Sequence, residues 1–304
     1  QRVDLTLFSG KIQELKDQIA SVIVGQEQTV DLVLTAILAN GHVLIEGVPG
    51  VAKTLLARLT ARLIDADFSR IQFTPDLMPS DVLGTTVFNM KTNEFDFHQG
   101  PIFADIVLVD EINRAPAKTQ AALFEVMEER QISIDGITHK MGELYTILAT
   151  QNPVEQEGTY KLPEAQLDRF LMKITMDYPS LEEEVNILER HHTNASLIKL
   201  DDIKPAITKE ELLSLRALMN QVFVDRTLLQ YIALIVQQTR TSKAVYLGAS
   251  PRASVAMLQS SKAYALLQGR DFVTPEDIKF VAPYVLQHRL ILTAEAEMEG
   301  YSPV

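Results

Sequence analysis

The 304-residue sequence contains no cysteine, which excludes disulfides, thiolate metal sites and cysteine nucleophiles. It also lacks any apolar run approaching the ~18 residues that span a bilayer, so no transmembrane segment is expected. The N-terminal region carries polar groups throughout and has no signal-peptide core, which predicts a cytoplasmic protein. The sequence starts at Gln1 rather than at a methionine, and the existence of residues upstream is left open.

Basic residues are in the minority, since 28 Lys and Arg stand against 40 Asp and Glu for a formal net charge of −12. A general nucleic-acid binder depends on Lys and Arg contacts to phosphates, so this balance argues against nucleic acid as a partner. The balance does not exclude a local basic surface that lines the pore of a ring-shaped oligomer. The composition, 46% hydrophobic and 22% charged, is typical of a globular protein long enough for two domains.

Residues 47–54 (GVPGVAKT) have the layout of a phosphate-binding loop, because they join an apolar run to leucines spaced along one face of a helix. Small residues let backbone N–H groups point at phosphate oxygens, and the helix N-terminus adds the positive end of its dipole. Lys53 would reach the β- and γ-phosphates, and the Thr54 hydroxyl would hold Mg²⁺. The candidate loop residues are Gly47, Val48, Pro49, Gly50, Val51, Ala52, Lys53 and Thr54.

Ala52 departs from the usual pattern, which has glycine immediately before the lysine. A methyl group is tolerated there only if the backbone stays near helical dihedrals, because alanine is strained at positive φ. The alternative interpretation is an ordinary strand-to-helix turn with a surface lysine.

A second signal is the segment Ile106–Glu111 (IVLVDE), in which four apolar residues end in two acids. Adjacent carboxylates repel each other, and a nearby Mg²⁺ would explain both. Asp110 would hold the water shell of the metal, and Glu111 would orient and polarise the water that attacks the γ-phosphate. A solvated strand terminus is the weaker alternative, since the acids follow a phosphate loop by about 60 residues.

Other candidates lie at the ends of predicted elements. Asn152 follows a strand and could help to place the attacking water, although Asn-Pro is also a plain turn signal. Arg169 directly precedes a strand and could complete the site of a neighbouring subunit, a role for which Arg114 competes. A surface pair between Asp168 and Arg169 is the alternative. Arg252, in the first turn of a helix, suggests an anion there and could sense the γ-phosphate; a surface arginine is the alternative.

Short apolar runs alternate with helical sequence, which indicates βαβ units and a mainly parallel sheet. The runs are Val43–Glu46, Arg70–Phe73, Ile106–Val109, Tyr145–Ala149 and Leu171–Ile174. Two hairpins interrupt this pattern, with turns at residues 91–93 and at Asp135-Gly136. Insertions on a rigid scaffold often carry function, although a plain loop is an equal alternative for either one.

Helices are predicted over residues 11–22 and through Val30–Ile37, and beyond residue 181 no strand is expected. Helix starts are indicated at Thr208, at Ser250-Pro251 and at Thr274-Pro275. The most apolar stretch, Leu228–Val236, predicts a buried helix. The six histidines show no spacing that would hold a transition metal.

Together these motifs resemble the AAA+ ATPases, and within them the MoxR family. The resemblance is carried by Val24-Gly25-Gln26 and by residues 47–54, 72–81 (QFTPDLMPSD), 110–115 (DEINRA), 149–153 (ATQNP), 166–170 (QLDRF) and 248–252 (GASPR). Alanine before the lysine is usual in that family, so the resemblance removes the doubt about Ala52.

The resemblance implies an α/β P-loop domain over residues 1–180, with a five-stranded parallel sheet in the order 5-1-4-3-2. It implies a helix-2 insert at about 74–100, a pre-sensor hairpin at about 131–143, and a linker with a small all-α lid over 181–304. By the same analogy Asn152 is sensor 1, Arg169 the arginine finger and Arg252 sensor 2. The resemblance also adds Val24, Gly25 and Leu55 to the candidate nucleotide-binding residues.

The implied activity is Mg²⁺-dependent hydrolysis of ATP to ADP by a homo-oligomeric ring, expected to be hexameric. Such rings act as chaperone-like motors that remodel or mature partner proteins, with metal insertion as one use and von Willebrand factor A domains among the partners. The alternatives are the motor subunit of a metal chelatase and a nucleic-acid-remodelling ATPase. A nucleotide-gated scaffold is a further alternative, against which the intact Asp110-Glu111 pair argues.

Overall fold

A computed structural model describes residues 4–48, 52–152, 158–193 and 199–304. The helices are α1 (Thr6–Val22), α2 (Glu27–Leu38), α3 (Lys53–Leu63), α4 (Pro79–Leu83), α5 (Ala117–Glu129), α6 (Glu164–Leu167), α7 (Leu181–His192), α8 (Lys209–Ala217), α9 (Arg226–Thr241), α10 (Pro251–Leu267), α11 (Pro275–Leu286) and α12 (Ala294–Met298). The strands are β1 (Val43–Gly47), β2 (Phe68–Gln72), β3 (Gly84–Asn89), β4 (Glu94–Gln99), β5 (Ile106–Asp110), β6 (Gln131–Ile134), β7 (Ile137–Lys140), β8 (Thr146–Gln151), β9 (Met172–Met176), β10 (Val245–Leu247) and β11 (Ile291–Leu292).

The centre of the fold is a parallel sheet with the strand order β2-β5-β8-β1-β9. When only these five strands are numbered along the chain, their order in the sheet is 2-3-4-1-5. Read from the other edge this is 5-1-4-3-2, so the predicted order is confirmed. Apolar residues make the strands because both faces of the sheet are covered. In β5, Ile106 and Leu108 belong to one hydrophobic cluster, whereas Val107 and Val109 belong to the other.

The two predicted hairpins are present as β3–β4 and β6–β7. They also touch each other, which the sequence did not indicate. The hydroxyl of Thr86 donates a hydrogen bond to Asp135 at 2.6 Å, and the rings of Phe97 and His139 lie 4.4 Å apart between centroids. The two insertions therefore form one joined surface feature.

The C-terminal helices correct two expectations. Strands β10 and β11 form a short antiparallel ribbon, whereas no strand was predicted beyond residue 181. Helix α9 contains the apolar stretch Leu228–Val236 but is only partly buried, since Leu229 and Leu234 remain 43% and 55% exposed. The prediction of a buried helix was wrong because the number of apolar residues does not reveal how many sides of a helix are covered.

The predicted helix starts are largely present. Helices α8, α10 and α11 begin directly after Thr208, Ser250 and Thr274, as expected. Thr274 forms a capping box in which Asp277 accepts from the Thr274 N–H at 2.8 Å. Between α2 and β1, Asn40 has a left-handed backbone (φ 59°), and the missing side chain of Gly41 leaves room for Leu171. Helix α1 begins at Thr6 rather than at residue 11.

One hydrophobic cluster joins the parallel sheet to the C-terminal helices. Helix α10 packs against α2, and the same cluster contains Val33 of α2, Ile45 of β1 and Met257 of α10. The other face of the sheet is covered by α5 through residues such as Phe124 and Met127. No helix within the described ranges is both long and apolar enough to cross a membrane.

Two histidines are buried in the neutral state. His42 donates from Nε2 to the Met127 carbonyl at 2.9 Å, and its Nδ1 accepts from the Ile147 N–H at 3.0 Å. His288 donates from Nε2 to the Phe170 carbonyl at 2.8 Å. Burial lowers the pKa of each to about 3, assisted at His42 by the charge of Arg130.

We expect the protein to lose stability as the pH falls below about 6.5, because the unfolded chain then binds protons that folded His42 and His288 exclude. Each histidine would contribute a loss of about 2 kcal/mol between about pH 7.5 and pH 5, a window in which most carboxylates stay ionised. Urea unfolding measured across that window checks this. His42→Gln should reduce the slope of the free energy of unfolding against pH by about half. His98→Gln, at an exposed position, should leave this slope unchanged. Equal slopes in both variants would contradict the assignment.

Candidate nucleotide-binding site

The candidate site lies at the edge of the sheet where β1, β5 and β8 end. Val109 of β5 pairs with Ala149 of β8, and Glu46 of β1 pairs with Gln151 of β8, so these three strands end at nearly the same level. The loops after parallel strands meet at such an edge, where open α/β sheets bind ligands. The phosphate loop, the two acids and Asn152 are therefore brought together. Pro49, Gly50 and Val51 lie outside the described residues.

The two ends of the phosphate loop are held close by Lys53, the first residue of α3. Its Nζ donates to the carbonyl of Gly47 at 3.1 Å. Burial lowers the pKa of Lys53, and the nearby charges of Asp110 and Glu111 oppose that shift. Ala52 has φ −66° and ψ 49°, so the methyl group avoids positive φ as the sequence required, although ψ is not helical. Thr54 follows in the first turn of α3.

Thr150 fixes both acids through one hydroxyl group. Its Oγ1 donates to Oδ1 of Asp110 at 3.0 Å and accepts from the Glu111 N–H at 3.0 Å. Thr150 lies on β8, next to β5, and is 2% exposed. Sequence reasoning did not single it out, because the pairing depends on the order of the strands.

Each acid is also paired with an arginine. Arg70 of β2 donates from Nε to Oδ2 of Asp110 at 2.7 Å, and Arg114 lies 3.0 Å from Oε2 of Glu111. These cations relieve the repulsion expected between neighbouring carboxylates. Glu111 has the left-handed dihedrals φ 53° and ψ 54°, a strained conformation for a residue with a side chain. Arg114 thus contacts the acid of its own chain.

A cavity of about 300 Å³ lies beside the start of α3. It is lined by Val24, Ala52 and Leu55, which the sequence assigned to nucleotide binding, and by Arg190 and His191 of α7, which it did not. An apolar cavity of this size next to a phosphate loop has the dimensions of a nucleotide-base pocket. We therefore consider it the candidate base pocket.

Helix α7 is held over the base pocket from two sides. Arg190 donates to the carbonyls of Ser21 at 2.7 Å and Ala20 at 3.2 Å, which belong to the unpaired C-terminal turn of α1. At its other end, the Glu183 carboxylate accepts from the Ser180 N–H at 2.7 Å and packs against Gly25. Gly25 has φ +74°, and a Cβ there would lie 2.4 Å from Glu183 Cδ.

Arg169 and Arg252 lie away from Lys53. Arg169 precedes β9 and is therefore at the amino edge of the sheet, where its Nη1 lies 2.7 Å from Oε2 of Glu128. Arg252 lies 3.7 Å from Oε1 of Glu128 and 3.6 Å from Oδ2 of Asp168. Asp168 pairs with Arg289 at 2.7 Å, so the surface pair between Asp168 and Arg169 that the sequence left open is not formed.

The residues at the carboxyl edge suit Mg²⁺. The Thr54 hydroxyl and the carboxylates of Asp110 and Glu111 offer only oxygen atoms, which is the donor chemistry that Mg²⁺ prefers. Both oxygens of Asp110 are engaged, by Thr150 and Arg70, which favours a contact through a water molecule over direct ligation. Within the described ranges, no cluster of three or more His, Asp or Glu side chains could hold another metal ion.

Comparison with known proteins assigns the family. Residues 42–172 match the ATPase family associated with various cellular activities (AAA), and residues 237–304 match the AAA lid domain. Chaperone MoxR1 of Mycobacterium tuberculosis is 45% identical over 94% of this chain and 77% of its own length. Protein MoxR of Methylorubrum extorquens is 30% identical over 97% of this chain and 91% of its own length. The chain belongs to the MoxR family of AAA+ ATPases.

Further relatives agree with the MoxR assignment over the whole length. The YeaC protein of Bacillus subtilis is 49% identical over 98% of this chain and 91% of its own length. A crystal structure from Cytophaga hutchinsonii superposes with a TM-score of 0.90 at 42% identity, covering 98% of this chain and 92% of the other. The predicted family and fold are confirmed, and the family is one of nucleotide-binding ATPases. The roles of individual site residues stay predictions.

We expect Thr150→Val to lower the maximal ATPase rate of this MoxR protein roughly tenfold, because it removes the hydroxyl that orients Asp110 and Glu111. ATP affinity should change little, since Lys53 and the base pocket are untouched. Steady-state ATPase kinetics and nucleotide-binding titrations measure the two effects. Thr150→Ser keeps the hydroxyl and should retain most activity. A fully active Thr150→Val protein would show that the hydroxyl is dispensable.

Gly25→Ala should weaken nucleotide binding roughly tenfold, because the new methyl group displaces Glu183 and with it the first turn of α7. Titration with a fluorescent ADP analogue measures this. Gly300→Ala is the matched control, since Gly300 also has positive φ (+86°) but no described atom would lie within 4 Å of its Cβ. Equal affinity in the two variants would rule out the role of the contact between Gly25 and Glu183.

Proposed function

We propose that this protein hydrolyses ATP to ADP and phosphate, with Mg²⁺, at sites shared between neighbouring copies in a ring. The observation that carries the proposal is the separation of the charged groups across the sheet. Lys53, Asp110 and Glu111 lie at the carboxyl edge, and Arg169 lies at the amino edge.

The separation follows from the parallel pairing of β1 with β9. Met172 pairs with Val43 and Met176 with Gly47, so Arg169 lies beyond one end of the strand pair and the phosphate loop beyond the other. A strand of this length spans about 15 Å. An arginine side chain cannot cross that distance to its own phosphate loop, whereas a second copy of the chain can present the same arginine from outside.

Within one site, we assign binding and chemistry to different residues. Val24, Gly25 and Leu55 would border the base, Lys53 would hold the β- and γ-phosphates, and Glu111 would orient and deprotonate the attacking water. The Thr54 hydroxyl, and Asp110 through the water shell of the metal, would hold Mg²⁺, which would supply positive charge beside the phosphates. Asn152, at the end of β8, would help to position the water.

Arg169 of the neighbouring copy would stabilise the charge that develops on the γ-phosphate. Arg252 is included in this role, because it shares Glu128 with Arg169. Arg114 is the weaker candidate, since it contacts Glu111 of its own chain at the carboxyl edge.

The free energy of hydrolysis would be used for chaperone-like remodelling of protein clients by a cytoplasmic ring, expected to be hexameric. Support comes from the relative named Chaperone MoxR1. The joined hairpins present apolar side chains to solvent, with Met90 89% and Phe95 72% exposed, as a surface for unfolded or partly folded clients requires. Clients with von Willebrand factor A domains, and metal insertion, rest on the family resemblance alone.

We expect Arg169→Ala and Glu111→Gln each to reduce turnover at least 100-fold and to recover activity when mixed. In mixed rings, the intact nucleotide site of one variant receives Arg169 from the other, so random 1:1 mixing should restore about a quarter of the wild-type rate. ATPase assays after co-refolding or subunit exchange measure this. Specific activity of the wild type should also rise with protein concentration.

An arginine acting within its own chain would give no recovery on mixing. That result, or specific activity independent of concentration, would overturn the shared-site proposal.

A further inference from the structure

The backbone and the side chain of Arg169 are held by different parts of the structure. The backbone around it is clamped by Arg289, which is 5% exposed on its side chain and donates to the carbonyls of Asp168 at 3.2 Å, Phe170 at 2.9 Å and Leu171 at 3.1 Å. Phe170 is buried edge-on against Phe124 of α5, with 6.1 Å between ring centroids. The position of the Arg169 backbone is therefore fixed without any contribution from its own side chain.

The direction of the Arg169 side chain depends on α5. Its Nη1 donates to the Phe124 carbonyl at 2.7 Å and pairs with Oε2 of Glu128 at 2.7 Å. Phe124 and Glu128 are one turn apart in α5, and Glu128 lies in its last turn, where the helix dipole favours a cation. Among the described residues, no hydrogen bond engages Nε or Nη2 of Arg169, so one edge of the guanidinium stays available for phosphate oxygens.

Each oxygen of Glu128 faces an arginine. Oε2 contacts Arg169, and Oε1 lies 3.7 Å from Nη2 of Arg252 on α10. The contact to Arg169 has hydrogen-bond length, whereas the contact to Arg252 is a longer ion pair. A charge-assisted hydrogen bond of this kind can set the orientation of the Arg169 guanidinium. Such a partly exposed pair adds little to stability, so its effect should appear in geometry rather than in the free energy of unfolding.

We propose that Glu128 is the positioning residue that aims Arg169 at the nucleotide of the neighbouring copy. This inference rests on the proposed shared site. It assigns Glu128 to the donor side of the interface, so its loss affects catalysis in the adjacent subunit and leaves nucleotide binding in its own subunit intact.

Glu128→Gln should lower kcat roughly tenfold with KM for ATP unchanged within about twofold, because a misdirected arginine loses contacts made only in the transition state. Glu129→Gln, a change of the same kind at the next, exposed position, should match the wild type in both constants. The thermal midpoint should stay near that of the wild type for both variants. If Glu128→Gln is unstable, Glu128→Asp, which keeps the charge, replaces it and should retain more activity than Glu128→Ala.

Mixing identifies the side of the interface on which Glu128 acts. Glu128→Gln mixed with Glu111→Gln should recover turnover well above the average of the two, because Glu111→Gln subunits supply a correctly aimed Arg169. Glu128→Gln mixed with Arg169→Ala should show no recovery, since both lack a functional donor. The double variant Glu128→Gln/Arg169→Ala should be no slower than Arg169→Ala alone.

Wild-type kinetics in Glu128→Gln, or a defect that Glu111→Gln does not rescue, would overturn the role of Glu128. Failure of the Arg169→Ala and Glu111→Gln pair to recover activity would instead overturn the shared site itself. The two failures are therefore distinguishable in one set of assays.

Discussion

The structure depends on a single constraint, which is that the strands of the central sheet run in one direction. Parallel strands place all their carboxyl ends at one edge, so the phosphate loop after β1, the acids after β5 and Thr150 near the end of β8 meet without any further device. The same constraint sends the start of β9, and Arg169 with it, to the opposite edge. The proposed site assembled from two copies would thus follow from the strand direction.

Acidic groups at the carboxyl edge are held by specific partners rather than by exposure to water alone. Asp110 is paired with Arg70, and Glu46 at the end of β1 is contacted by Lys173 at 3.0 Å and by Gln151. Groups so held lose little freedom when a ligand arrives, and electrostatic preorganisation of this kind is what phosphoryl transfer requires.

Short-range patterns in the sequence were sufficient for much of the fold and part of the site. The loop at 47–54 and the segment Ile106–Glu111 were recognisable because their chemistry lies in consecutive residues. Contacts between distant residues were not recognisable, since Thr150 and Glu111 are 39 residues apart and Arg190 and Ser21 are 169 apart. The exposure of α9 was missed for the same reason, because burial of a helix face depends on what the rest of the chain brings to it.

The hydrophobic cluster shared by α2 and α10 has a mechanical consequence. Val33, Ile37 and Met257 are essentially inaccessible to water, and exposing each of them would cost about 2 kcal/mol. Swinging the C-terminal helices away from the sheet would expose several such side chains at once, so each chain resists bending at that point. In the proposed ring, the flexible joint would then be the contact between neighbouring copies, and ATP turnover would change the tilt between rigid subunits.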